Sequence, residues 1–409
     1  MTGIHSRYGA LALLLIIITM TMPLAAIQAQ TLLTASQTIP AVGTIGGSLT
    51  WLKTNGNLIE TTNGAIFNFE GVAIAILDWG WTNPNYYMDG NWNESLIAFL
   101  AQCGGNSIRL DINCYQFNDA YFAEIDQVVN WCTQNNVRVI LDIHDGDPNT
   151  ISTTWPNDML TIMQNPNAPL NTIISPYPGD APYPNVSWIG LLDFYVTRYE
   201  NNPTVSMINI MNEPMEAQSS NDTYLFNIWR NAANLAVESI QAINPNILIG
   251  VYGMNWGKTM TDWVSQPLPE NNIVYCYDIH LAYDVGWEAY ANDYMAGNYT
   301  LAKQEWIAYL TQNDVLALSA EYPVLAIEWG SQQYNGYNAT LEPAYLQWTE
   351  DTFQIFAQYK IGQEYWAFNP VDPITIVGND GDLLDYPNWA NGTLVLDATG
   401  QIWEQYCEG

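Results

Sequence analysis

Two glutamates each end an apolar run of the chain and could form a pair of catalytic carboxyls. Glu213 follows SMINIMN, and Glu328 follows VLAI. Burial raises the pKa of a carboxyl, which suits a general acid, whereas a neighbouring arginine keeps a carboxylate ionised. Such a pair can cleave a glycosidic bond, because one carboxyl protonates the leaving oxygen and the other attacks or stabilises the anomeric carbon. For either glutamate alone, a salt bridge or a helix cap is the structural alternative.

Two histidines and an arginine also lie within or at the end of apolar runs. His144 and His280 end the apolar runs VILDIH and YCYDIH, each beside an aspartate, and the remaining histidine, His5, lies near the amino terminus. Arg109 interrupts the run SIRLDIN. A hydrogen-bonded structural histidine and a buried ion pair are the alternatives. Metal ligation is weakly indicated, because no third histidine or cysteine has suitable spacing.

Aromatic residues are abundant, with 17 tryptophans and 26 tyrosines. Flat aromatic faces can stack on the apolar faces of sugar rings, although the same residues are common in protein cores. The best-placed candidates are Trp366 in YWAFNP, Trp329 in EWG, and the loop Asp78-Trp79-Gly80-Trp81.

Short β-branched runs alternate with amphipathic helices, which predicts repeated βα units around a parallel sheet. The helices include 119–135, capped by Asn118, and 224–244. The predicted strands are 65–76, 107–113, 137–143, 205–211, 247–252, 273–279, 324–328 and 363–368. Eight strands predict an α/β fold, a (β/α)8 TIM barrel in one domain with long loops, whose carboxyl-end face carries the candidate residues. A doubly wound open sheet is the alternative, weakened by the lack of a glycine-rich phosphate loop.

The amino terminus resembles an export signal. Arg7 precedes an uncharged stretch over 10–27, which predicts a signal peptide over 1–29, a short segment over 30–48 and one domain over 49–409. The alternative is an uncleaved membrane anchor; no later segment is predicted to span a membrane. Six glycosylation tripeptides support a secreted protein, at Asn93, Asn185, Asn221, Asn298, Asn338 and Asn391. The five cysteines predict one or two disulfides and a free thiol.

Charge excludes one class of partner and indicates a habitat. The net charge of −32 arises from 41 acidic residues against 9 lysines and arginines. Nucleic acid is excluded as a partner, because phosphate binding needs clustered basic residues. Carboxylates become neutral in strong acid, so a chain with few bases avoids a large positive charge there. The composition therefore favours an acidic exterior.

The chain resembles glycoside hydrolase family 5, the cellulase family, over nearly all of the residues after the signal. The similarity begins at WLKTNGNLIETTNGAIFNFEGVAI, which is similar to the opening hairpin and first strand of the family, including Gly71-Val72. The other matching motifs follow in the family's order: IRL with Arg109, VILDIHD with His144, NEP with Asn212 and Glu213, the histidine strand with His280, EWG with Glu328, and YWAFNP with Trp366.

This resemblance implies a role for each matched residue. Glu213 would be the general acid/base, Glu328 the nucleophile, and Asn212 a ligand of the sugar 2-hydroxyl. Arg109 would keep Glu328 ionised, His144 and His280 would line the catalytic subsite, and Trp366 would form its platform. The resemblance thus implies a glycoside hydrolase catalytic domain over 49–409 that needs no cofactor and acts on a polysaccharide.

Two features depart from the family pattern. The usual His-x-Tyr is replaced by His280-Leu-Ala-Tyr283, which has one additional residue before Tyr283, a candidate substrate-binding residue. Asp111 stands where a proline is usual. The stretch VGNDGDLLDYPNW resembles the eighth loop of bacterial and archaeal endoglucanases, and its Asp380, Asp382 and Asp385 are candidate calcium ligands.

The resulting hypothesis is a secreted, monomeric, retaining endo-β-1,4-glucanase that has no membrane attachment after signal cleavage. The alternatives are a β-mannanase, a β-1,3-glucanase, or a surface protein that binds carbohydrate without turnover. Retention of Arg109, Asn212 and both glutamates argues against the last, because binding alone would not require all four.

Overall fold

The computed structural model describes residues 49–77, 93–114, 116–144, 155–174, 183–214, 222–331, 340–368 and 394–407. The predicted signal peptide, the segment over 30–48, the loop 78–81 and the calcium candidates Asp380, Asp382 and Asp385 lie outside these residues. So do three of the glycosylation tripeptides, at Asn221, Asn338 and Asn391.

Strands and helices alternate through most of the described chain. The strands are β1 (Leu52–Asn55), β2 (Leu58–Thr61), β3 (Ile66–Phe67), β4 (Glu70–Leu77), β5 (Ser107–Asn113), β6 (Arg138–His144), β7 (Val205–Asn209), β8 (Leu248–Tyr252), β9 (Ile273–His280), β10 (Val324–Gly330) and β11 (Gly362–Tyr365). The helices are α1 (Glu94–Gln102), α2 (Asp119–Gln134), α3 (Trp155–Gln164), α4 (Leu170–Ile173), α5 (Trp188–Arg198), α6 (Asp222–Ile243), α7 (Thr261–Ser265), α8 (Leu281–Asp284), α9 (Ala289–Met295), α10 (Tyr299–Gln312), α11 (Val315–Ser319), α12 (Glu342–Tyr359) and α13 (Ala398–Cys407).

Strands β4 to β11 form a closed barrel in chain order, and β11 pairs with β4 to complete it. Every pairing in the barrel is parallel. Parallel neighbours need crossover connections, which the intervening helices supply. The (β/α)8 barrel predicted from the sequence is confirmed, and the carboxyl ends of its strands meet at one face.

Two apolar layers stabilise the barrel. The outer layer lies between strands and helices. Helix α2, for example, is capped by Asn118, whose side chain accepts a hydrogen bond from the Tyr121 amide, and it buries Phe122 and Ile125. The inner layer fills the barrel with side chains that include Phe69, Ile140, Met207, Leu248, Val274 and Leu325. The barrel is therefore a packed support for the residues at its mouth.

A three-stranded antiparallel sheet, β1 to β3, covers the opposite end of the barrel. Its Leu52 and Ile59 pack with the inner layer, and the Thr54 amide donates to Asn272 Oδ1 at 3.1 Å, just before β9 begins. The sequence had predicted one strand over 65–76, whereas the structure divides this segment into β3 and β4. The predicted opening hairpin is confirmed.

The prediction of disulfides is wrong. None of the five cysteines forms one, and all five are buried. They occupy core positions as small apolar side chains. Burial raises the pKa of Cys132 and Cys407 above the ordinary thiol value, so these thiols remain protonated.

Each lysine and arginine in the described residues has a defined structural partner or position. They are Lys53 with Glu60, Arg109 with Glu328, Arg138 over the Phe67 ring, Arg198 with Asp126, Arg230 with the carbonyls of Gln266 and Pro267, Lys258 with Asp284, Lys303 with Asp351, and Lys360 at the end of α12. Apart from the exposed Lys360, the positive charges of the described residues are thus committed to particular contacts.

In the part of the chain described here, no helix combines the length and the apolar character that crossing a bilayer requires. Asn93, Asn185 and Asn298, the glycosylation candidates within this part, are exposed.

Candidate active site

The predicted site residues come together at the carboxyl ends of the barrel strands. Arg109 lies on β5, His144 ends β6, Asn212 and Glu213 follow β7, and His280 ends β9. Glu328 lies near the end of β10, and Trp366 directly follows β11. The strand order therefore gathers residues that are far apart in sequence.

Glu328 lies between two nitrogen-bearing side chains. Arg109 Nη1 donates a hydrogen bond to Glu328 Oε2, and His280 Nε2 lies 3.2 Å from Oε1. Burial raises the pKa of Glu328, but the charge of Arg109 and the hydrogen bond and charge of His280 outweigh this effect. The pKa of Glu328 is consequently well below its usual range, and this carboxyl remains ionised in acid.

Arg109 is fully buried and connects Glu328 to a second group of side chains. Its Nη2 donates to Asp142 Oδ2 and to Asn212 Oδ1, both at 2.7 Å, and its Nε lies 3.2 Å from Asp111 Oδ1. A guanidinium has a planar arrangement of donors, which suits this multiple pairing. The same cation therefore orders Glu328 and the amide of Asn212.

His144 fixes the other side of Asn212. The imidazole Nδ1 lies 2.8 Å from Asp142 Oδ2, and Nε2 lies 3.3 Å from Asn212 Nδ2. Because the Asn212 oxygen accepts from Arg109, its NH2 group faces His144 and donates to Nε2. The proton of a neutral His144 then resides on Nδ1 and is donated to Asp142.

Asp142 and Asp111 have opposite electrostatic states. Burial raises the pKa of Asp142, but the charge of Arg109 and the hydrogen bond from His144 lower it below its ordinary value. Asp111 lacks comparable compensation, and burial raises its pKa well above the ordinary value despite Arg109. The pKa values of the two aspartates beside Arg109 are therefore shifted in opposite directions, and Asp111 is the residue that replaces a proline in the family pattern.

Glu213 is half-buried and has a left-handed backbone, with φ of 37°. Non-glycine residues seldom adopt this region, and such strain is concentrated at functional sites. The Glu213 carboxyl interacts with Asp278 both by charge and through a side-chain hydrogen bond. Sequence analysis did not select Asp278, although its position two residues before His280 places both side chains on the same face of β9.

Tyr283 and Trp366 lie at the rim of the site. Tyr283 is on the short helix α8, is about half exposed, and packs edge-on against the His280 ring with 5.5 Å between ring centroids. Trp366 is half-buried, and its amide donates to the Trp329 carbonyl at 2.8 Å. Although one additional residue precedes Tyr283, the Tyr283 ring still contacts the imidazole of His280.

The prediction that Trp329 contacts sugar is wrong, because its side chain is fully buried. Its ring packs against Phe353 and Tyr365, on the helix side of the barrel. Among the tryptophans whose exposure is described, Trp256 and Trp287 are the exposed ones, and Trp287 is 86% exposed. They lie in the loops after β8 and β9. The one sequence signal that could have identified them is that both tryptophans fall outside the apolar patterns that predict strands and helices.

Ligand-type atoms meet within 4.8 Å in two groups, Asp111 with Asp142 and His144, and Asp278 with His280 and Glu328. In the first group, Arg109 already neutralises Asp142 and contacts Asp111. In the second, Glu328 is paired with both Arg109 and His280. We describe both groups as an ion-pair network rather than as metal sites.

A closed barrel with this arrangement is the scaffold of a glycoside hydrolase, and the comparisons with known proteins agree. The family described as cellulase (glycosyl hydrolase family 5) matches residues 60–372. The chain therefore belongs to this family of glycoside hydrolases, as the sequence motifs had indicated.

Individual relatives are distant. An endoglucanase of Paenibacillus polymyxa is 24% identical over 379 residues, which cover 83% of this chain and 84% of the relative. The major extracellular endoglucanase of Xanthomonas campestris pv. campestris is 23% identical, with coverage of 61% of this chain and 53% of the relative. A crystal structure of a beta-glucanase from Saccharophagus degradans in complex with cellotetraose has a TM-score of 0.61 at 19% identity, over 88% of this chain and 94% of that one.

Proposed function

We propose that the protein is a secreted, retaining endo-β-1,4-glucanase in which Glu213 is the general acid/base and Glu328 is the nucleophile. The observation that carries this proposal is the position of Glu328 between Arg109 and His280, which keeps a buried carboxylate ionised and oriented. A nucleophile needs this state, because the ionised carboxylate is the form that attacks the anomeric carbon.

In the proposed reaction, Glu328 attacks the anomeric carbon while Glu213 transfers its proton to the leaving oxygen. The C–O bond breaks and a covalent glycosyl-enzyme forms. Glu213, now a carboxylate, then removes a proton from water, and the resulting hydroxide equivalent releases the sugar from Glu328. The attack and the hydrolysis each invert the anomeric centre, so the product keeps the original configuration.

Asn212 is proposed to bind the sugar 2-hydroxyl beside Glu213. Its amide is oriented by Arg109 and His144 from opposite sides. A group oriented in advance loses little freedom when substrate binds, which favours the transition state. Trp366 is proposed as the platform under the sugar, and His144, His280 and Tyr283 as its walls.

Several observations support a β-1,4-glucan as substrate. The Paenibacillus relative is named an endoglucanase, and the Saccharophagus neighbour was solved with cellotetraose. The exposed Trp256 and Trp287 offer flat surfaces beyond the catalytic residues, which suits a chain of several neutral sugars. A strongly acidic protein does not repel such a substrate.

A panel of polysaccharides tests the substrate assignment. We expect release of reducing ends from hydroxyethyl cellulose, a neutral soluble β-1,4-glucan, at a rate at least tenfold above that from β-mannan or β-1,3-glucan, with a rapid fall in viscosity that marks internal cleavage. Proton NMR of the first products should show the β-anomer. Faster hydrolysis of mannan or β-1,3-glucan would show that the assignment of β-1,4-glucan as substrate is wrong. An initial α-anomer would exclude the retaining mechanism.

Export is proposed from three independent features. The predicted signal over 1–29 precedes the domain, the described glycosylation candidates are exposed, and the Xanthomonas relative is named extracellular. Amino-terminal sequencing of protein recovered from the culture medium would locate the cleavage site.

An acidic working environment is also proposed, and the buried carboxyls support it. Burial raises the pKa of Asp111 and Glu364 well above the ordinary values. Such groups contribute stability that is fully present below their unfolded pKa of about 4 and is lost as pH rises toward their folded pKa. Glu328 and Asp142 act in the opposite direction, because their lowered pKa contributes stability that is lost as pH falls.

The pH profile provides a direct prediction. Because the pKa of Glu328 is lowered, we expect the acid limb of kcat/KM to lie below pH 4, under the ordinary glutamate pKa of about 4.3. A His280→Asn variant loses the imidazole charge beside Glu328, so its acid limb should move upward by about one pH unit. An acid limb that coincides in both proteins would contradict the proposed role of His280.

A further inference from the structure

Asp278 is a buried carboxyl that lies between the two proposed catalytic glutamates. It is 2% exposed, and its Oδ1 lies 3.5 Å from Nε2 of His280, the imidazole that contacts Glu328. On its other side it interacts with Glu213 through a side-chain hydrogen bond. Asp278 is therefore buried, interacts directly with Glu213, and lies close to the imidazole of His280, which contacts Glu328.

The loop after β8 encloses Asp278. The Asp278 amide donates to the Gly257 carbonyl at 3.4 Å, and Gly257 has φ of +77°. A Cβ atom at position 257 would lie 2.9 Å from Asp278 Cβ and 2.8 Å from the Tyr252 ring. Glycine thus allows this loop to approach closely enough to cover Asp278.

The ionisable groups around Asp278 include two carboxyls and one arginine. Those coupled to it electrostatically are Glu213 after β7, Tyr252 on β8, its neighbours Tyr277 and His280 on β9, Glu328 on β10 and Arg109 on β5. Arg109 is the permanent cation of this set, and it is already bonded to Glu328 and Asp142. Burial, and then repulsion from Glu328 and Glu213, raises the pKa of Asp278 well above its ordinary value.

We propose that Asp278 is a positioning residue for Glu213: its carboxyl carries a proton and donates a hydrogen bond to the Glu213 carboxyl. This proposal rests on the proposed role of Glu213 as acid/base. Asp278 would remain protonated throughout the reaction and would orient the Glu213 carboxyl through this hydrogen bond.

The proposed contact becomes stronger during the reaction. In the first step the Glu213 proton moves to the glycosidic oxygen, the C–O bond breaks, and the bond to Glu328 forms. Glu213 becomes a carboxylate, and the hydrogen bond from Asp278 then has a charged acceptor. Hydrogen bonds to charged groups are about twice as strong as neutral ones, so Asp278 stabilises the transition state more than the ground state.

Two substitutions separate this role from simple packing. Asp278→Leu removes the donor and replaces the carboxyl with a larger apolar group, and we expect kcat to fall about tenfold at unchanged KM. The Glu213 carboxylate also loses a stabilising donor, so the alkaline limb of kcat/KM should move upward by about one pH unit. Asp278→Asn keeps an N–H donor and should restore most of kcat with a wild-type alkaline limb.

A matched control is Glu364→Gln, because Glu364 is also a fully buried carboxyl with a raised pKa but is hydrogen-bonded to Ser107. Its alkaline limb should equal that of wild type. The proposal would be overturned by an unchanged alkaline limb of kcat/KM in Asp278→Leu, or by a kcat of Asp278→Asn as low as that of Asp278→Leu. Neither result would contradict the proposed function as long as the wild-type protein hydrolyses glucan.

Infrared spectroscopy decides the protonation without any turnover. The spectrum of wild type minus that of Asp278→Asn should contain a carboxylic acid C=O band at neutral pH. The absence of that band overturns the proposal, whether or not the wild-type protein cleaves glucan. This readout also applies if Asp278→Leu fails to fold.

Discussion

Glu328→Gln is expected to lower kcat by about 10⁴-fold or more while the protein remains folded. An amide is a poor nucleophile, so formation of the glycosyl-enzyme stops, and single removals of a nucleophile have effects of this order. Glutamine preserves the volume at Oε1 and Oε2, and Arg109 keeps its contacts with Asp142 and Asp111. The measurement is release of reducing ends from carboxymethyl cellulose, with thermal unfolding as the check on folding.

The control for this variant is again Glu364→Gln. Glu364 lies on β11, next to β10, and the same chemical change there is expected to alter kcat by less than about threefold, because the residue lies outside the proposed catalytic group. If Glu328→Gln retained kcat within tenfold of wild type, the assignment of Glu328 as nucleophile would be wrong.

The second large effect concerns Arg109. Arg109→Met is expected to reduce the free energy of unfolding by about 3–5 kcal/mol, since removal of one partner leaves buried charges without compensation. Glu328 and Asp142 would lose the cation that keeps their pKa low. Urea unfolding at neutral pH measures the loss. The variant should also lose nearly all activity, because Glu328 would retain a proton in the acidic range.

Arg138→Met is the matched comparison, since Arg138 is also a buried arginine at a barrel strand. It contacts the Pro203 carbonyl at 3.3 Å and the Phe67 ring at 4.9 Å, and burial lowers its pKa to about 10. No described carboxylate is ion-paired with it, so we expect a loss of about 1 kcal/mol. Equal losses in the two variants would show that packing, not charge compensation, dominates at Arg109.

The barrel could be predicted from the sequence because its strands are short apolar runs that alternate with amphipathic helices. The run SIRLDIN is a strand with the predicted bounds, and most other strands differ from the prediction by a few residues at their ends. In a barrel, the residues at the carboxyl ends of the strands must converge. For that reason His144 and Glu328 could be placed in one site before any contact was known, whereas Arg109 lies earlier on β5 and reaches Glu328 through its long side chain.

The direction in which each side chain points within the site could not be predicted from the sequence. Trp329 and Glu328 are neighbours, yet alternation along β10 sends the indole into the outer core and the carboxyl toward the mouth. Asp278 was seen only as a neighbour of His280, because its importance depends on how Glu213 approaches from another strand. The cysteines were likewise misread, because the sequence does not show that all five are buried in the core without forming disulfides.

Resistance to digestion follows from the way this chain uses its cations. Proteases of trypsin-like specificity cut after lysine and arginine, and they need an exposed, flexible backbone. Of the described cations, Lys258 and Lys360 alone lie outside helices and strands. Lys258 is held by Asp284, and Lys360 closes α12. In this part of the chain, the exposed Lys360 at the end of α12 is therefore the main site that such a protease could reach.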